Sequence, residues 1–141
     1  MKDKPLVGVL ADPCICFSFK VNGFEALAII PENIYREGDL PDFSAIYADG
    51  YWCYLLEVEY GEEDFVDSLA KRFSGKRIAI HTDINCIDYS EKHIKRYKEL
   101  KERWEQHENI RIFDDKDWPD GRLDEVVRYL KGEDIEGINK S

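Results

Sequence analysis

The stretch Leu40-Pro41-Asp42-Phe43-Ser44-Ala45-Ile46-Tyr47-Ala48-Asp49-Gly50-Tyr51-Trp52-Cys53-Tyr54-Leu55-Leu56-Glu57-Val58-Glu59 decides how this chain is expected to fold. Two β-prone runs flank Asp49-Gly50, the pair that a two-residue type I′ hairpin turn favours. Such a turn sets the register: Ala48 faces Tyr51, Ile46 faces Cys53 and Asp42 faces Glu57. Trp52, Tyr54, Leu56 and Val58 then share an apolar face with Tyr47, Ala45, Phe43 and Pro41. A three-residue turn would place Asp42 opposite Leu56 and mix the two faces, so the two-residue turn is the better reading. Asp42 and Glu57 become neighbours, with Glu59 two residues further on the same face. Like charges directly opposite each other are destabilising. A compensating cation is therefore expected, and a divalent metal is one candidate.

Upstream, residues 5–10 form a short apolar run read as a strand. Residues 14–21 and 24–30 flank Asn22-Gly23, a second hairpin signal, with Lys20 opposite Glu25. Residues 31–40 are a polar connector. Downstream, Phe65, Leu69 and Phe73 recur at four-residue spacing, which predicts a helix over residues 62–74 stopped by Gly75. Residues 76–82 read as a strand. Residues 90–107 form the longest expected helix, with Ser90 as N-cap and Ile94, Tyr97, Leu100 and Trp104 as its apolar stripe. A short strand over residues 110–113 and a helix from about Asp120 to Gly132 complete the order. The expected fold class is α/β: a mixed sheet with N-terminal antiparallel hairpins followed by helix–strand–helix–strand–helix, the helices lying on the sheet faces. Residues 1–132 are expected to form one α/β domain, and residues 133–141 a frayed acidic tail.

The chain of 141 residues carries a net charge of −10, with 43% hydrophobic and 13% aromatic residues, so disorder is not expected. An acidic surface repels phosphate backbones at long range and favours a basic partner or a local basic patch. The start, Met1-Lys2-Asp3-Lys4-Pro5, does not read as a signal peptide, and no apolar run is long enough to span a bilayer. A cytoplasmic location is expected, with no membrane partner. Cys14, Cys16, Cys53 and Cys86 then read as reduced thiols, and as small buried hydrophobes before metal ligands.

Pro41-Asp42, fourteen intervening residues and then Glu57-Val58-Glu59 resemble the motif of the PD-(D/E)XK nuclease superfamily over residues 40–115. The resemblance implies a nuclease-like domain acting on nucleic acid, with Mg or Mn held by Asp42, Glu57 and Glu59. Such an ion activates water and stabilises charge on a phosphodiester. The motif's lysine falls on Glu59 here. Lys71 on the following helix is the nearest replacement, so an active nuclease and an inactive nuclease-like fold both stay open. The same carboxylates equally suit a solvated strand edge.

His81, at the end of a strand, is a further candidate acid, base or ligand. Lys92, Lys95, Arg96, Lys98, Lys101 and Arg103 make residues 90–107 the one basic concentration, interleaved with glutamates at helix-pair spacing. Asp114, Asp115, Asp117, Asp120, Asp124 and Glu125 cluster around Trp118. That group suits docking of a basic protein, which defines the alternative function: a non-enzymatic acidic inhibitor of immunity or anti-defence type.

Overall fold

The computed structural model describes residues 4–35 and 40–133. Five strands, β1 (Leu6–Leu10), β2 (Glu25–Ala28), β3 (Ala45–Asp49), β4 (Arg77–Asp83) and β5 (Ile110–Asp115), form one sheet in the order β2-β1-β3-β4-β5. All four pairings are parallel. This 2-1-3-4-5 arrangement is the doubly wound order known from flavodoxin. The helices are α1 (Ile15–Lys20), α2 (Glu32–Tyr35), α3 (Gly50–Val58), α4 (Phe65–Arg72), α5 (Ile84–Ile87), α6 (Glu91–Trp104) and α7 (Leu123–Leu130).

The expected mixed sheet with antiparallel hairpins is overturned at both turn signals. Asp49 has φ −69° and ψ 117°, and its carboxylate accepts from the N–H groups of Tyr51 and Trp52. It is the N-cap of α3, whereas a type I′ turn needs positive φ at both central residues. Cys53, Tyr54 and Glu57 follow Gly50 at helical spacing and form the buried face of α3. β3 has no free edge for a returning strand, since β1 and β4 occupy both. At the other signal, residues 15–20 are helical, and Gly23 (φ +92°) allows the chain to turn directly from α1 into β2.

Side chains alternate between two cores. Ile46, Ala48, Ile78, Ile80, Ile110 and Ile112 pack under α2 to α6, while Ala45, Tyr47, Ala79 and Phe113 pack under α1 and α7. Every residue of β3 is buried, as befits a central parallel strand covered on both faces. The helices expected around residues 62–74, 90–107 and 120–132 and the strands at 5–10, 76–82 and 110–113 are found as α4, α6, α7, β1, β4 and β5. Apart from Glu133, the expected tail lies outside the described residues. No helix among the described residues is long and apolar enough to cross a membrane.

Candidate ligand crevice at the carboxyl edge of the sheet

The residues expected to hold a metal do not share a site. Asp42 precedes β3, is 95% exposed and lies 3.5 Å from Lys76. Glu57 is buried inside the helical layer, where Oε2 accepts from Val66 N (2.9 Å) and Trp104 Nε1 (3.2 Å). Its Oε1 has no hydrogen-bond partner among the described residues. Burial pushes the Glu57 carboxyl up to about 7, against the hydrogen bond from Val66, the charge of Arg103 and the hydrogen bond from Trp104. It therefore caps the start of α4 and anchors Trp104. Glu59 is exposed just beyond α3, and Lys71 is exposed on α4. Among the described residues, no group of three or more His, Cys, Asp or Glu side chains is placed to hold a metal ion.

The acidic surface around Trp118 is also redistributed. Asp114 receives Lys101 Nζ at 2.7 Å and meets the Tyr97 hydroxyl. Asp115 is 2% exposed. Trp118 is half-buried, with its ring centroid 5.9 Å from that of His81. Of these four residues only Asp117 stays exposed.

His81 is fully buried. Its Nδ1 lies 2.8 Å from the Tyr47 hydroxyl and its Nε2 2.8 Å from Asp115 Oδ2. Burial lowers the His81 pKa, outweighing the nearby Asp115 charge. Burial opposes ionisation of Asp115 too. Hydrogen bonds from His81, Arg122 N and Asp117 N win, and hold that carboxyl below its usual range. A neutral imidazole donating from Nε2 to a carboxylate, and accepting at Nδ1 from the Tyr47 O–H, satisfies every group. The network ties β3, β4 and β5 to residues 116–122. It is sealed from water, so its role is to brace the sheet edge above it.

At that edge the polar groups converge. In doubly wound sheets, ligands bind outside the carboxyl ends of the strands, at the point where the winding reverses. Here that point lies between β1 and β3. β1, β3, β4 and β5 each run into aspartate: Asp12, Asp49, Asp83 and the pair Asp114-Asp115. Leu10 pairs with Ala48, so Asp49 and Asp12 follow on adjacent strand ends. Asp12 is exposed and accepts from the Cys14 thiol (2.6 Å) and backbone N–H (3.0 Å). Asp49 is 7% exposed. Burial pushes its carboxyl up to about 6; the N–H groups of Tyr51 and Trp52 oppose the shift and the charge of Asp83 adds to it. Tyr51, Asp83 and Cys86 lie near this carboxyl, and Tyr89 lies near Tyr51. Gly50 is required here: a Cβ would sit 1.8 Å from Thr82 Oγ1. The sequence did contain the signal, since strand-forming runs ending in Asp recur as Leu10-Ala11-Asp12, Tyr47-Ala48-Asp49, His81-Thr82-Asp83 and Ile112-Phe113-Asp114.

All four thiols are free. Each is held above its ordinary pKa, Cys14 by its bond to Asp12 and the other three chiefly by burial. The edge is therefore a carboxyl site and not a thiolate one. Comparison of the chain with protein-family models, with curated proteins and with solved structures finds no match.

Proposed function

We propose that this protein binds the neutral or cationic, hydroxyl-bearing part of a small molecule over the carboxyl ends of β1, β3 and β4, with Asp49 as the recognising group. The observation behind this reading is Asp49 itself: a mostly buried carboxyl, beside the reversal point of the sheet, that titrates at about 6. A perturbed carboxyl in such a place marks a functional candidate. Carboxylates accept from vicinal hydroxyls, as they do from a ribose in dinucleotide sites. Asp12 and Asp83 make the crevice unfavourable for an anion, while Tyr51 and Tyr89 offer ring faces to a sugar. A carboxyl that titrates near neutrality can also exchange a proton with a bound hydroxyl or amine.

The nuclease-like reading rested on Asp42 and Glu57, one open to water and the other sealed from it. The inhibitor reading rested on the acidic surface over residues 114–125, of which Asp117, Asp120 and Asp124 are exposed while Asp115 is buried. The crevice reading is tested by titrating a panel of sugars, polyols and amino sugars, followed by amide chemical shifts. Perturbation of residues 11–14, 49–52 and 83–89 is expected. Asp49→Asn keeps a good N-cap for α3 and should abolish those shifts without unfolding the protein. A panel with no binder, or a binder indifferent to Asp49→Asn, overturns the proposal.

A further inference from the structure

A concavity also lies among the helices on one face of the sheet. A groove of about 460 Å³ runs between α3 and α6, lined on one side by Tyr54 and Glu59 and on the other by Lys92, His93, Lys95 and Arg96. Lys92 and Lys95 have no ion-pair partner among the described residues. Arg96 lies 3.4 Å from Glu99, and Glu59 is the other acid of the groove. Three fixed cations thus face two carboxylates, a local positive island on a chain of net charge −10.

Tyr54 adds a polar group to that charge. Its ring is buried, and its hydroxyl, without a hydrogen-bond partner among the described residues, reaches solvent at the groove. A phenol O–H at a groove wall can donate to an anion. His93 is held by Ser90 through Nδ1, which orients the ring and leaves Nε2 available. An aromatic run leads from the groove to Tyr51, whose N–H binds Asp49. The rings of Tyr51 and Tyr54 stack at 6.5 Å, Tyr54 lies 6.1 Å from His93, and His93 lies 4.5 Å from Tyr89.

We infer that this groove binds the phosphate group of a small phosphorylated molecule, held by Lys92, Lys95, Arg96, His93 and the Tyr54 hydroxyl. Its hydroxyl-bearing part lies in the neighbouring crevice, and that second half rests on the function proposed above. The charge balance selects the size of the ligand. Local cations suit one phosphate group, whereas the overall negative charge repels a polyanion such as a nucleic-acid strand.

The test uses the full chain, with amide and His93 ring shifts as readout and inorganic phosphate, glucose and glucose 6-phosphate as probes. Phosphate is expected to move residues 92–96 and Tyr54. The Lys92→Gln/Lys95→Gln double variant should weaken phosphate at least about tenfold, as loss of two charge-assisted contacts implies. Tyr54→Phe keeps the buried ring and should weaken it roughly threefold, the effect of a single neutral hydrogen bond. Glucose 6-phosphate should bind more tightly than either half alone. Phosphate that perturbs other residues, or that binds both variants as well as the native chain, overturns the inference. Phosphate retained in the groove by Asp49→Asn, with glucose shifts absent even from the native chain, overturns the crevice and leaves the groove standing. A 12-nucleotide single strand that binds more tightly than glucose 6-phosphate, and is weakened by the lysine variants, overturns the small-ligand assignment.

Discussion

His81 Nε2 lies 2.8 Å from Asp115 Oδ2, and both side chains are almost wholly out of water. The pair is a neutral donor on a carboxylate, because the His81 pKa falls below its ordinary 6.5 while that of Asp115 falls below 3.8. Both shifts have the same consequence. The His81 contribution to stability is complete above pH 6.5 and is lost as pH falls through its lowered folded value. The Asp115 contribution is complete above 3.8 and is lost below it. Ring nitrogen shifts should show the Nε2–H tautomer, with less imidazolium at pH 6 than an ordinary histidine carries. Asp115→Asn cannot accept from His81, Asp117 and Arg122 as a carboxylate does, and should cost about 2–4 kcal/mol in urea unfolding.

Glu57 has the opposite pH sign. Its carboxyl titrates at about 7 in the fold against an ordinary 4.5. Its favourable contribution is complete below 4.5 and is lost as pH rises through 7. Glu57→Gln retains an acceptor for Val66 N–H and removes the buried charge. At pH 8 the variant should be more stable than the native chain by about 1–3 kcal/mol, given the size of the shift. The advantage should vanish near pH 4. Thermal melts across that range check the crossing, and a variant less stable at pH 8 contradicts it.

Gly50→Ala tests the packing at the end of β3. The added methyl would lie 1.8 Å from Thr82 Oγ1, 2.7 Å from Thr82 Cβ and 3.0 Å from its Cα. The backbone at Thr82 cannot rotate away as a flexible side-chain end could. A loss of about 3 kcal/mol in denaturant unfolding is expected, at the upper end of overpacking effects.

Asp42→Ala should do little. The Lys76–Asp42 pair is solvated, with side-chain exposures of 40% and 95%. Melting should move by less than about 2 °C, as for most surface ion pairs. Any shift produced by millimolar Mn²⁺ should be the same in the variant and in the native chain. A selective loss of the Mn²⁺ response in Asp42→Ala would restore the metal ligand expected from the sequence.

The amphipathic periods of α4, α6 and α7 and the apolar runs of β1, β4 and β5 were legible because each element buries one recognisable pattern. Residues 14–21 and 50–58 were not. Runs of that length suit strand and helix alike, and Asp-Gly serves an N-cap as readily as a hairpin. His81 was legible as a residue at a strand end, but its partners Tyr47 and Asp115 lie 34 residues away on either side.

Local chemistry thus determined an acidic α/β chain and its three amphipathic helices α4, α6 and α7. Pairing was beyond local chemistry. Because β1 and β4 take both edges of β3, the segment after Asp49 had no strand to return along and became a helix. The edge occupancy that moved Glu57 into the core and left Asp42 in water also brought Asp49 to the reversal point of the sheet. A strand has only two edges, and which neighbours fill them is a property of the assembled sheet.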